Sequence, residues 1–157
     1  MSRLFRDLFE VNVKIKEQDH NNTIKSVVNS KMLSQFLTNK FKIPKGKKKG
    51  SLHIPKQILK RKKLLRPYIR GLFDTDGSFY LRRKTSMVIS IASRDPPYLE
   101  EVKQALIFLN YKPSVSGKNL CVYKQEQIKL FFKEIGSSNK KHRNKYDNFI
   151  KKISNNQ

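Results

Sequence analysis

Two aspartates, Asp74 and Asp76, stand just before a glycine in the stretch Tyr68-Ile-Arg-Gly-Leu-Phe-Asp-Thr-Asp-Gly-Ser-Phe-Tyr80. Apolar spacing before them predicts a helix that ends on Asp76, with Gly77 taking the positive φ that closes helices. A carboxylate at the C-terminal end of a helix faces the negative end of its dipole, which is unfavourable without a cation. That mismatch points to a metal ion at Asp76, and Asp74, two residues earlier, points elsewhere on the helix. A calcium loop would need an acid two residues before Asp74 and a later glutamate; Leu72 holds the first place, so that chemistry is excluded. His20, His53 and His142 have no metal-ligand spacing and read as surface or phosphate-contacting residues. A lone cysteine, Cys121, excludes an internal disulfide and a cysteine-based zinc site.

The elements around this stretch follow from periodicity. Pro67 is expected to open the helix, since proline suits a first helical position. Gly71 and Thr75, small and four apart, share one face of it. Ser78–Arg83 and Met87–Ala92 alternate as a strand pair turning near Lys84, with Phe79 and Leu81 facing one way, Tyr80 and Arg82 the other. Met87, Ile89 and Ile91 make the apolar face of the second strand and leave Ser90 opposite. Asp95 caps a helix striped by Leu99, Val102, Leu106 and Leu109. A hairpin around Ser116-Gly117-Lys118 and a helix carrying Ile128, Phe131, Phe132 and Ile135 complete an α-β-β-α-β-β-α order, an α+β class, and a basic helix from about His142 to Ile153 follows.

Ahead of it lies a shorter version of the same pattern. Leu4, Phe5, Leu8 and Phe9 have helical spacing; Val11 to Lys16 and Thr23 to Asn29 read as strands around a turn at 18–22, and Ser30 can cap a helix with Leu33, Phe36 and Leu37. Laying Phe36-Leu37 on Phe131-Phe132, an offset of 95 residues, puts Leu33 on Ile128 and Asn29 on Lys124. Two regions are expected: residues 1–50, a β-β-α half-repeat with a basic linker at Lys42–Gly50 that holds five lysines, and residues 51–157. Ile54, Ile58 and Leu59 open the second with a short helix ending in the cluster Lys60-Arg-Lys-Lys63.

Charge names the partner. The formal net charge is +23 over 157 residues, so the folded chain repels itself unless an acidic partner neutralises it, and nucleic acid is the commonest such partner. Hydrophobic residues at 37% suffice for a core, which excludes a disordered polycation. No apolar run approaches the ~20 residues of a membrane span, and no signal peptide is apparent, so an intracellular protein is expected, in the cytoplasm or nucleoid of a prokaryote or in an organelle.

With these residues in view, Ile69-Arg-Gly-Leu-Phe-Asp-Thr-Asp-Gly77 resembles the signature of LAGLIDADG homing endonucleases. Gly71, Leu72, Asp74, Asp76 and Gly77 match by identity, Ile69 and Phe73 in kind, while Arg70 and Thr75 depart. The resemblance extends from Pro67 to about Ile153. It implies an antiparallel DNA-binding sheet and site-specific hydrolysis of double-stranded DNA, or, on the same fold, a non-cleaving maturase or regulator. It further implies Mg²⁺ (or Mn²⁺) held by Asp76 and the carbonyl of Thr75, with Lys124 stabilising charge on the phosphate and Ser93, or Arg94, ordering water. DNA contact falls to Tyr80, Arg82, Ser90 and Arg94, with Lys84, Lys118, Lys47 and Lys48 on phosphates. One motif supplies one acid, so a homodimer is implied through Gly71, Leu72 and Thr75, or a second chain carrying the other motif.

Overall fold

The computed structural model describes residues 2–18, 23–43, 45–46, 52–83 and 86–154. The chain divides into two compact units, residues 1–45 and 46–157, at the glycine- and lysine-rich stretch. Lys47, Lys48 and Lys84, together with His20 and the turn at 19–22, lie outside the described residues.

The first unit is α1 (Ser2–Phe9), β1 (Lys14–Gln18), β2 (Thr23–Val27) and α2 (Lys31–Phe41). The strands form an antiparallel hairpin in which Lys14 pairs with Val27 and Gln18 with Thr23. Val11 and Val13, expected inside β1, precede it, because β2 ends at Val27 and offers them no ladder partner. Ser30 caps α2, its Oγ accepting from the Leu33 amide at 3.1 Å. Leu33 is the one buried hydrophobic residue among those described here, while Leu8, Met32 and Phe36 stay exposed. This unit therefore has little core of its own.

The second unit holds α3 (Lys56–Leu59), α4 (Lys62–Asp76), β3 (Gly77–Arg83), β4 (Ser86–Ala92), α5 (Pro96–Phe108), β5 (Ser114–Ser116), β6 (Asn119–Val122), α6 (Gln125–Glu134) and α7 (Lys140–Ser154). From α4 to α6 this is the expected α-β-β-α-β-β-α order, and α7 follows as the basic C-terminal helix. The strands make one antiparallel sheet in the order β3-β4-β6-β5. The α1-β1-β2-α2 order of the first unit repeats α5-β5-β6-α6, and nothing in it corresponds to α4, β3 and β4.

Helix α4 opens at Lys62, five residues before Pro67, which lies exposed inside it. Leu65 explains the difference: with Ile69 and Phe73 it makes an i, i+4, i+8 stripe, all three fully buried, and the first rung of that stripe draws the preceding turn into the helix. The stripe meets Phe79, Met87, Ile89 and Ile91 from the inner face of the sheet and Ile128 and Phe131 from α6. Phe131 lies edge-on to Phe73 at 5.2 Å between ring centroids. Burying each large side chain of this set stabilises by roughly 1.5–3 kcal/mol. On the other side, Asp95 caps α5 by accepting from the Tyr98 amide at 3.4 Å, with Pro96 and Pro97 in the first turn.

Candidate nucleic-acid interface and metal-binding helix end

Helix α4 carries different business on each side. Its core stripe is Leu65, Ile69 and Phe73. Towards α6 and α7 it sends Arg66, which pairs with Glu134 at 3.0 Å, and Asp74. Towards α5 it sends Tyr68, whose hydroxyl lies 2.7 Å from that of Tyr98. The remaining stripe, Leu64, Pro67, Gly71 and Thr75, is exposed throughout. A Cβ added at Gly71 would meet nothing within 4 Å. A glycine inside a helix costs about 1 kcal/mol relative to alanine, and no neighbour among the described residues requires it. Leu72 is only half-buried and borders the same stripe.

Asp74 and Asp76 do unlike work. Asp74 accepts from the Ser138 amide at 2.9 and 3.1 Å, from the Asn139 amide at 3.4 Å, and from the Ser137 hydroxyl. Burial by itself would raise its pKa; the hydrogen bonds from Ser137, Ser138 and Asn139 outweigh burial and hold the carboxyl below the usual aspartate value. It is a tie between the end of α4 and the turn leading into α7. Asp76 is exposed, and among the described residues it accepts from the Thr75 hydroxyl at 3.2 Å. The Gly71 and Leu72 carbonyls lie at the same 3.2 Å from Thr75 Oγ1 and compete with Asp76 for its single proton.

Gly77 does not take positive φ. It is extended (φ −90°, ψ 159°) and is already the first residue of β3. Its requirement is space: an added Cβ would sit 2.2 Å from the Phe73 carbonyl oxygen and 2.3 Å from the Phe73 ring. The helix thus passes directly into the strand with no loop, which fixes Asp76 at the edge of the sheet.

Sheet register decides what reaches Asp76. Gly77 stands opposite Ile91, and Ala92 opposite Asn119. The next residue, Ser93, donates its amide to the Lys118 carbonyl at 2.9 Å. Ser93, Arg94, Lys118 and Asn119 therefore gather at the Asp76 end of the sheet. The Ser93 hydroxyl is engaged, accepting from the Asp95 amide at 3.1 Å. Lys124 is not brought there. It precedes Gln125, whose side-chain amide pairs with the Met87 amide and carbonyl at 2.9 and 3.0 Å, and Met87 stands opposite Leu81. Leu81 is four residues along β3 from Gly77, about 13 Å at roughly 3.3 Å per residue. The antiparallel run of β6 against β4 carries Lys124, expected to stabilise charge on the phosphate, towards the end of the sheet opposite Asp76. The turn that Asp74 holds, with exposed Lys140 and Lys141 just beyond it, lies at the Asp76 end of α4 instead. Neither lysine stood out in a sequence so rich in them.

The outer face of the sheet differs from expectation in two places. Ser90 is buried (7% exposed) beside Val88 (1%) and Cys121 (4%), and its Oγ lies 3.5 Å from Asn119 Oδ1. A central strand flanked on both sides leaves short side chains little access, so Ser90, expected to be exposed, lies buried against Asn119. Leu81 is 48% exposed although it shares the inward parity of Phe79, because a bulge between Leu81 and Arg83 breaks the register. Tyr80 and Arg82 are exposed outward as expected. His142 is buried, its ring 4.6 Å from that of Phe73, so it is not a surface residue. Burial depresses its pKa; the nearby Asp74 charge opposes that only in part.

A family model described as a LAGLIDADG-like domain matches residues 63–136. Residues 63–136 are thus similar to a LAGLIDADG-like domain. The match covers a little under half of the chain, all of it in the second unit, from the first turn of α4 to the glycine after α6. Comparison with curated proteins gives no match. The family is one of homing endonucleases and maturases, and the mixed α+β architecture is that of its fold. In this LAGLIDADG-like domain no group of three histidine, cysteine, aspartate or glutamate side chains gathers among the described residues. Asp76 and the adjoining Thr75 are residues that could hold a divalent ion, and the Gly71–Thr75 stripe beside them is exposed. No helix among the described residues is long and apolar enough to cross a membrane.

Proposed function

We propose that the protein is a site-specific, metal-dependent endonuclease of double-stranded DNA that works as a pair of motif helices. The observation that carries this reading is Asp76: an exposed carboxylate at a helix C-terminus, next to a helix face left open at Gly71. A motif helix packed along Leu64, Pro67, Gly71 and Thr75 would bring a second acid beside the first. Asp76 and the Thr75 carbonyl would then hold Mg²⁺ or Mn²⁺ against a phosphodiester. What the ion supplies there is Lewis-acid chemistry, polarising water and offsetting charge on the phosphate. The protein's part is positional: Lys118 and Arg94 at the same end of the sheet hold the phosphate, Ser93 fixes the turn that carries Arg94, and Asp74 keeps the end of α4 in place. The net charge of +23 supports DNA as the partner.

A second reading has its own support. The first unit repeats α5-β5-β6-α6 without a motif helix, and Phe36, equivalent to fully buried Phe131, is 45% exposed. A non-cleaving DNA-binding or maturase role, or a partner chain that supplies the other motif, accounts for a half-repeat without a motif helix to carry an acid. The deciding experiment is cleavage of a randomised duplex library by the purified chain, with Mg²⁺ and with chelator. Metal-dependent double-strand cuts at a recovered site, abolished in Asp76→Asn with binding retained, establish the endonuclease, and a symmetric site establishes the homodimer. Specific binding without cutting establishes the second reading.

A further inference from the structure

The outer face of the sheet is not uniform. Alternation and register place Ser78, Tyr80 and Arg82 of β3, Val88 and Ser90 of β4, Asn119 and Cys121 of β6 and Ser114 and Ser116 of β5 on it, with Tyr123 just past the end of β6. Beside Asp76 its exposed groups are short and neutral: Ser78, Ser114, Ser116 and Asn119. Among the described strand residues its charge lies at the other end, on Arg82 and, past the bulge, Arg83, while Lys118 and Arg94 flank the Asp76 end from the turns. Of the two strand arginines, Arg82 is pre-positioned: its guanidinium lies over the Tyr123 ring, 5.8 Å from the centroid. Among the described residues Arg83 has no such ring partner.

This distribution has a chemical meaning in a major groove. A guanidinium fork pairs with the two acceptors on the guanine edge, an asparagine amide matches adenine, and serine hydroxyls discriminate weakly. An arginine pinned over a ring loses less freedom when it binds than a mobile one, so it can specify a base and not merely hold a phosphate. We propose that Arg82, held over Tyr123, is the guanine-reading residue of each half-site, and that the base pairs nearer the cut are read as A·T-tolerant by the neutral end of the face. This rests on the reading of the sheet as a DNA-binding surface. From Ser78 to Arg82 is four residues, about 13 Å. At about 3.4 Å per base pair the guanine falls roughly four base pairs outward from the position under Ser78.

The test is selection of binding sites from a randomised duplex library by the full chain, repeated with Arg82→Gln, Tyr123→Ala and Arg83→Gln. The wild type should recover one guanine outward of a cut-proximal segment poor in G·C. Arg82→Gln should lower preference for that guanine by roughly 10- to 100-fold and leave the other positions alone. Tyr123→Ala should relax the same position in part, and Arg83→Gln should weaken all sites alike. The proposal is overturned if Arg82→Gln weakens all sequences equally, which would make it a phosphate contact, or if guanines cluster beside the cut. A chain with no preferred sequence fails the endonuclease reading itself, and a preferred, cut site whose guanines ignore Arg82 fails this proposal alone.

Discussion

Replacing Asp74 and Asp76 one at a time should separate structure from chemistry in residues only two apart. In Asp74→Ala, the amides of Ser138 and Asn139 and the hydroxyl of Ser137 lose a charged acceptor. Hydrogen bonds to a charged group contribute about 1.5–3 kcal/mol each. The Ser138 side is exposed and can turn to water, so the three together should cost about 2–4 kcal/mol rather than their sum. For a unit of this size, 1 kcal/mol moves Tm by roughly 4 °C or more, so a fall on the order of 10 °C or more is expected by calorimetry. Asp74→Asn should recover part of it, since an amide keeps one acceptor while turning a donor towards the Ser138 amide. Asp76→Asn, with one weak hydrogen bond to Thr75, should leave Tm within about 2 °C and abolish metal-dependent cutting. Unchanged melting in Asp74→Ala together with lost cutting would refute the division of labour and make Asp74 part of the reacting centre.

Gly77→Ala forces a Cβ onto the Phe73 backbone and should destabilise by at least roughly 1–3 kcal/mol in urea titration; a neutral result would mean the helix-to-strand passage is elastic. Gly71→Ala should raise the stability of the separate chain by up to about 1 kcal/mol, while Gly71→Leu should leave the chain folded and lower self-association in sedimentation; association unaffected by Leu would remove the α4 stripe from the interface. Lys124→Ala should leave the cutting rate unchanged where Lys118→Ala slows it, measured by single-turnover cleavage. His142 has a depressed pKa in the fold, so the unfolded chain takes up its proton first as pH falls. Stability is therefore present above the ordinary value of 6.5 and lost as pH drops below it towards the folded value; His142→Gln should remove that component of the pH dependence, and an unchanged profile would assign it elsewhere.

Much of this organisation is written in the local pattern of the sequence. The α5 stripe Leu99, Val102, Leu106 and Leu109 is buried as spaced, Asp95 and Ser30 cap the helices they precede, and the hairpin closes at Gly117-Lys118. Local patterns of this kind depend on neighbours within four residues, and sequence carries them directly. Pro67 misled because proline is tolerated at a helix start, while the deciding residue, Leu65, acts through burial against distant strands. Leu81 misled because parity presumes unbroken register, and a bulge is set by the partner strand.

The sequence by itself determined the class of the protein: the charge that calls for nucleic acid, the α-β-β-α-β-β-α order, and an Asp-x-Asp-Gly helix end of the LAGLIDADG type. Only the tertiary structure decided which aspartate is free. Asp74 and Asp76 are the same residue type two positions apart, and what distinguishes them is a turn sixty-odd residues away whose amides satisfy one and leave the other to solvent. Only the structure moved Lys124 away from the acid and brought Lys118, Arg94 and Asn119 towards it, because strand direction and pairing register are long-range properties. Helical and strand periodicity tell which face a residue occupies; they do not tell which end of a sheet meets which end of a helix.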